Sequence, residues 1–430
     1  MKAPQPRTNM SNALPLEQRA EAARRAGHML ARAPGQLRTA ALLKLAQMLR
    51  TNRDALLLAN SQDVLNGESR GMAASFVDRL RLTPARIEQM AVAIEEIAAQ
   101  DDPVGRIESE VIRPNGLRVA RMRIPLGVVA VIYEARPNVT TDAAALAIRS
   151  GNAVILRGGS DAQHSNTALG HLIEQSLVAS GLPPASVTVV EDPSRDVMLQ
   201  MLQLADHIDV VIPRGGEGLI RFVREHSRIP VISHYKGVCH VYLDAAADAD
   251  LARRIVLNAK TSRVSVCNAA ETLLVHETIA PTLLPLVADD LLAAGCTLHA
   301  CPQTLALLGA RHGIVAATED DWTTEHLSLD LGVRIVKDLD AAMDHIATYG
   351  SSHTEAIITD SLRAAQRFTT EVQSSCVMVN ASTRFADGGE LGLGAEIGIS
   401  TSRLHAYGPM GAEGLTTLRF VVTGTGHIRT

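Results

Sequence analysis

Pro125-Leu126-Gly127-Val128-Val129-Ala130-Val131-Ile132-Tyr133-Glu134-Ala135-Arg136-Pro137-Asn138-Val139-Thr140 is the stretch on which the fold class turns. Residues 127–133 are short, apolar and rich in Val, which suits a strand covered on both faces. The chain then alternates. Helical patterns at 142–149, 167–180, 195–204 and 217–225 separate strand-like runs at 153–157, 187–190, 209–212 and 231–233. Short Val/Ile strands with intervening helices predict a parallel, doubly wound α/β sheet. The helix ending at Ser180 carries its own stop, with Gly181 next and Pro183 and Pro184 just beyond.

Upstream, residues 16–100 read as helices, with Leu42, Leu45, Ala46 and Leu49 on one face against Lys44, Gln47 and Arg50 on the other. Residues 111–124 alternate around Pro114-Asn115-Gly116, and Asn-Gly between alternating runs is a strong hairpin signal. Downstream, a second alternating set occupies 239–244, 271–276, 297–300, 333–336 and 355–359. A strand at 376–380, a Gly-rich segment at 387–398 and a final strand at 418–424 follow.

With 430 residues the chain suits two or three domains, and its formal charge of −5, without a dense Lys/Arg block, argues against a nucleic-acid or anionic-membrane surface. Small-molecule chemistry is the better expectation. The five cysteines, Cys239, Cys267, Cys296, Cys301 and Cys376, are odd in number and scattered. Neither a disulfide framework nor a structural metal site is expected from that spacing. Residues 1–12 are polar and no apolar run approaches bilayer length, so a cytoplasmic protein with a loose N-terminal tail is expected.

Cys267 lies in Thr261-Ser262-Arg263-Val264-Ser265-Val266-Cys267-Asn268-Ala269-Ala270-Glu271-Thr272, between a helix end and a strand start. A thiol there, with Arg263 near in sequence, is placed where a thiolate can be stabilised and reached. Most lone cysteines are small buried hydrophobes, and the stretch alone allows that reading too. Arg157-Gly158-Gly159-Ser160 and Pro213-Arg214-Gly215-Gly216-Glu217-Gly218 join strands to helices, where small residues let backbone N–H groups approach phosphate oxygens. Neither is a Walker A loop, and each alone reads as readily as a turn.

Residues 258–276, the stretch 125–140, Asn380-Ala381-Ser382-Thr383-Arg384-Phe385 and Leu393-Gly394-Ala395-Glu396-Ile397-Gly398 together resemble the gamma-glutamyl phosphate reductase family, a branch of the aldehyde dehydrogenase superfamily. The resemblance runs from about Leu16 to the last residues. It departs at Ser262 and Val264, where Gln and Pro are expected, and at Tyr407, where an arginine is expected.

What the resemblance implies is specific. The fold would be aldehyde dehydrogenase-like, with residues 1–112, 127–238 and 370–389 forming a cofactor-binding domain and 239–369 a catalytic domain, the site lying in a cleft between their sheets. Residues 113–126 and 390–430 would form an oligomerisation hairpin and C-terminal extension. The activity would be NADPH-dependent reduction of L-glutamyl 5-phosphate to L-glutamate 5-semialdehyde in proline biosynthesis, through a thioester on Cys267. Asn138 would bind the developing oxyanion together with the Cys267 N–H. Arg157, Gly158, Ser160, Gly215 and Gly216 would hold the cofactor, with Glu325 on its nicotinamide ribose. An arginine at position 157, with no acidic residue at that strand end, fits a 2′-phosphate better than a 2′-hydroxyl. His234 stands where aldehyde-oxidising relatives have a water-activating glutamate. The resemblance also implies a homo-oligomer and allows a transient glutamate kinase partner. Two alternatives stay open, another NAD(P)-dependent aldehyde dehydrogenase and a non-catalytic nucleotide-binding relative.

Overall fold

The computed structural model describes residues 14–233, 236–309 and 311–429; the tail read at 1–12 and His234 lie outside them. The helical pattern of the first hundred residues becomes helices at Leu16–Arg32, Gly35–Thr51, Arg53–Ser69, Ala74–Leu80 and Pro84–Ala99. Their apolar stripe is inside, with Leu42, Leu45, Ala46 and Leu49 fully buried. Chain contacts group these helices into one unit that continues to Ser233 and takes in Gly392–Gly398 and the chain from Met410.

That unit also contains the expected hairpin, β1 (Ile107–Ile112) and β2 (Arg118–Pro125), paired antiparallel. Gly116 sits at its turn with φ +87° and Arg113 N–H donates to the Leu117 carbonyl at 2.8 Å, a backbone that only glycine adopts cheaply. Next come β3 (Val128–Tyr133), β4 (Ala153–Arg157), β5 (Val187–Val189) and β6 (Val210–Arg214), which form a parallel sheet in the order β5-β4-β3-β6. Every residue of β3 and β4 is buried, which is why both read as continuous apolar runs rather than alternating ones. The strand expected at 231–233 reduces to an isolated bridge between Val211 and Val231, because Pro213 of β6 has no N–H to donate to the Ile232 carbonyl and extend the ladder.

The second unit runs to Leu391 and adds Ile399–Pro409. Its strands are β7 (Cys239–Leu243), β8 (Ala270–His276), β9 (Thr297–Ala300), β10 (Ile314–Ala316), β11 (Asp330–Val336), β12 (Thr354–Ile358) and β13 (Cys376–Val379). They form one parallel sheet, ordered β10-β9-β11-β8-β7-β12-β13. Leu243, Val256, Leu273, Leu284 and Val333 pack its core between strands and helices. The short pair β14 (Ile399–Ser400) and β15 (Gly408–Pro409) belongs here too, whereas β16 (Thr416–Thr423) returns to pair antiparallel with β2.

This grouping differs from the expected division in three places. Residues 370–389 go with the second unit, because β13 pairs in parallel with β12. The division falls after Ser233 rather than at 238. The sheet β1-β2-β16 groups with the first unit, and only 399–409 of the C-terminal extension joins the second. Among the described residues no helix is long and apolar enough to cross a membrane.

Candidate active site

In the second unit, Cys267 occupies the expected turn between the helix Ala249–Thr261 and β8. Asp248 caps that helix by accepting from the Leu251 N–H at 2.8 Å. The free Cys267 thiol is half-buried, whereas Cys239, Cys296 and Cys301 are buried. Burial pushes the Cys239 thiol well above its ordinary range, so that sulfur stays protonated and serves as a donor: it bonds the Cys267 carbonyl at 3.1 Å. Asn268, buried, donates its amide to the Ala386 carbonyl at 3.0 Å and the Arg384 carbonyl at 3.4 Å. The backbone of Gly237 lies so close that an added Cβ would sit 1.9 Å from the Cys267 carbonyl oxygen.

Glu325 reaches the same place. Its Oε1 accepts the Gly237 N–H at 3.0 Å, so the structure brings Cys267 and Glu325 together through one glycine. Behind them lies an ion pair that the sequence reading did not single out: Lys260 Nζ meets Glu271 Oε2 at 2.7 Å, with both side chains essentially inaccessible to water. Burial pushes the Glu271 carboxyl up to about 7. Lys260 and the Leu327 N–H work against that shift, and Glu325 adds to it. Leu327 N–H donates to Glu271 Oε1 at 3.3 Å from a left-handed backbone, φ +55°, which fixes the turn just after Glu325. Lys260 directly precedes the stretch 261–272 and Glu271 stands inside it, so a Lys and a Glu on either side of Cys267 were the signal available.

Arg384 is the second residue missed. Its Nε donates to Ser262 Oγ at 3.1 Å, which gives the Ser262 departure a partner. Burial pulls the guanidinium below its ordinary value, Asp387 opposes this, Arg263 adds to it, and the Cys267 thiol opposes it. Tyr407, the other departure, donates its hydroxyl to the Gln373 carbonyl, and Arg403 covers its ring at 5.1 Å.

In the first unit, Asn138 opens the helix Pro137–Arg149 directly after β3. Its side chain is exposed and donates to Asp142 Oδ2 at 2.9 Å. Burial pushes Asp142 up to about 6 while the Asn138 amide and Arg214 hold it down. Arg214 in turn pairs with Glu396 at 3.4 Å, so Asp142, Arg214 and Glu396 form a polar group behind the Asn138 carboxamide.

The strand order places β3 between β4 and β6, so Asn138 emerges between the two glycine turns at the carboxyl ends of the sheet. At the first turn, Gly158 has no room for a side chain, since a Cβ would lie 2.1 Å from Asn166 Nδ2. Ser160 opens a short 3-10 turn leading into the helix Gln163–Ala179. Arg157 is buried, and its Nη2 donates to the carbonyls of Pro193 and Ser194 while Nε has no hydrogen-bond partner in the structure. At the second turn, the Gly216 N–H is taken by Glu134 Oε2 at 3.0 Å, and Gly215 packs against the same carboxylate. That N–H is therefore not free for a phosphate as it stands. Gly216 and the helix Glu217–His226 still present open backbone, since a Cβ at Gly216 or Gly218 would meet nothing within 4 Å.

The model of the aldehyde dehydrogenase family matches residues 7–296. The chain belongs to that family. It is 53% identical, over 94% of its length and 97% of the relative's, to a gamma-glutamyl phosphate reductase of Xanthomonas campestris pv. campestris. It is 43% identical to the crystal structure of gamma-glutamyl phosphate reductase from Thermotoga maritima, with a TM-score of 0.92 over 96% of this chain and 99% of that one. An engineered glycolyl-CoA reductase with bound NADP+ shares the fold at 18% identity, with a TM-score of 0.67 over 95% of this chain and 96% of that one. The family is one of oxidoreductases, and the aldehyde dehydrogenase-like α/β class expected from the sequence is the class observed.

Proposed function

We propose that this enzyme reduces L-glutamyl 5-phosphate to L-glutamate 5-semialdehyde with NADPH and releases inorganic phosphate, a step of proline biosynthesis. The similarity to gamma-glutamyl phosphate reductases along nearly the whole chain carries this reading. The chemistry of the nucleophile loop agrees with it. The Cys267 thiolate attacks the acyl phosphate carbon, the carbon–oxygen bond to phosphate breaks, and a thioester remains. Arg384 stands within electrostatic range of that sulfur. The Asn138 carboxamide and the Cys267 N–H receive the oxyanion of each tetrahedral species. Once the thioester carbon has gained a hydride and its oxygen a proton, the resulting thiohemiacetal loses that hydroxyl proton as the C–S bond breaks, giving the aldehyde and restoring the thiolate.

NADPH, when bound, supplies the hydride that reduces the thioester. The residues present fit such a nucleotide: glycine turns and helix N-termini follow β4 and β6, and the buried Arg157 keeps an unpaired Nε at the strand end. Arg157 is the proposed partner of the 2′-phosphate and Glu325 of the nicotinamide ribose. The sheet β1-β2-β16, with Val111, Ile112, Phe420 and Val422 exposed, is the proposed surface for self-association. The decisive assay follows NADPH formation from glutamate semialdehyde and NADP+ with and without phosphate. Strict dependence on phosphate or arsenate is expected. Free glutamate formed without phosphate would make the enzyme a hydrolytic aldehyde dehydrogenase and His234 the first base to test.

A further inference from the structure

In the second unit, His299 meets two side chains from a later segment, Asp321 and His326. His299 lies on β9, Asp321 on the 3-10 turn Glu319–Thr323, and His326 on the segment that follows. One ligand atom from each lies within 4.8 Å of the others. His299 Nδ1 is 2.9 Å from Asp321 Oδ1. The His299 and His326 rings stand 5.0 Å apart, centroid to centroid.

The surroundings hold these groups as a coordination shell is held. Asp321 spends its other oxygen, Oδ2, on the N–H and hydroxyl of Thr318 at 2.6 and 2.8 Å, which leaves Oδ1 facing His299. The far ring nitrogen of His299, Nε2, meets Asp330 Oδ1 at 3.0 Å, and Ser328 donates to the other Asp330 oxygen. A histidine whose second nitrogen is held by a carboxylate is the arrangement that orients metal-bound imidazoles. His326 Nε2 is buried without a hydrogen-bond partner among the described residues.

We infer that His299, Asp321 and His326 form a site for one borderline divalent transition ion, Zn2+ by preference, with Asp330 orienting His299. Two imidazoles and one carboxylate are a zinc-type donor set and a poor one for Mg2+ or Ca2+, which want oxygen. His299 and Asp321 keep 19% and 13% side-chain exposure, so water can complete the shell. On binding, the ion replaces the proton shared by His299 Nδ1 and Asp321. Because His326 directly follows Glu325, an ion here would also fix the segment that carries that carboxylate.

The test is a Co2+ titration of untagged, chelator-treated enzyme in the Cys267→Ser background, which removes the half-buried Cys267 thiol as a competing soft ligand. A visible d–d band saturating at one ion per chain, displaced by Zn2+ but not by Mg2+, is expected. His299→Ala and His326→Ala, checked for native circular dichroism, should each abolish the band, and Asp330→Asn should weaken binding about 10–100-fold. No saturable band, or a band unchanged in the two histidine variants, overturns the site. So does a band present in the unsubstituted enzyme and absent from the Cys267→Ser protein, which would place the ion on the nucleophile.

Discussion

Replacing Gly237 by alanine tests whether the backbone of Cys267 is held where the chemistry needs it. Gly237 is not among the glycines with positive φ, so space rather than backbone conformation demands glycine there. The added Cβ would lie 1.9 Å from the Cys267 carbonyl oxygen and 2.5 Å from its carbonyl carbon and Cα, where ordinary contact begins at 3.4 Å. The shortfall, 3.4 minus 1.9, is 1.5 Å, and backbone rather than a flexible side chain must supply it. Misplacing a reacting group by ~1 Å can cost about 10²-fold in rate. Overpacking of this kind costs about 1–3 kcal/mol of stability. Gly237→Ala should therefore lower kcat by about 10²-fold or more and slow or redirect alkylation of the Cys267 thiol. NADPH affinity should fall as well, because the Gly237 N–H holds the Glu325 carboxylate proposed on the nicotinamide ribose, while the contacts of Arg157 and the glycine turns in the other unit stay in place. Stopped-flow reduction, iodoacetamide labelling and fluorescence titration of NADPH measure the three quantities. A folded variant with wild-type kcat would refute the claim that this contact positions the nucleophile.

Cys267→Ser should abolish turnover and leave NADPH binding measurable, since a hydroxyl supplies neither the acidity nor the nucleophilicity of the thiol; a near-normal rate removes Cys267 from its role. Arg157→Ala should weaken NADPH by roughly 1.5–3 kcal/mol and NADH much less. Equal losses for the two nucleotides would confine Arg157 to its bonds with the Pro193 and Ser194 carbonyls. For Glu271 the folded pKa of about 7 lies above the unfolded value, 4.5, so between those pH values the folded state holds the extra proton and stability falls as pH rises. Over that window the wild type should lose up to about 3 kcal/mol relative to Glu271→Gln; parallel melting-temperature profiles for the two proteins would show that Glu271 does not titrate there.

The fold was legible because its signals are local. Val/Ile runs of strand length, Gly181 as a helix stop and Asn115-Gly116 as a hairpin turn each state their structure within a few residues, and β3, β4 and the β1–β2 hairpin lie where they were read. The strand at 231–233 failed because its pairing depends on what Pro213, on the facing strand, cannot donate. The division of units at 370–389 failed because strand pairing between β12 and β13 is not written in either strand alone. At the site, a cysteine in a short polar loop can be named from sequence, but Arg384 and Gly237 cannot. Their partners lie far along the chain, as with Arg384 and Ser262, 122 residues apart.

The way these distant partners act explains why the nucleophile needs so few residues of its own. A peptide unit is planar, so fixing a carbonyl fixes the N–H on its other side. The Cys239 thiol bonds the Cys267 carbonyl, which ties the plane after the nucleophile. The Ala269 N–H bonds the Val266 carbonyl at 3.1 Å, which ties the plane before it. That second plane contains the Cys267 N–H, the proposed oxyanion donor, so its direction is set before any substrate arrives. Asn268 and Gly237 then prevent the two planes from moving together. The thiol itself stays half-buried and rotates about a Cα whose neighbours on both sides are pinned, which concentrates the freedom of the loop in the sulfur proposed to attack.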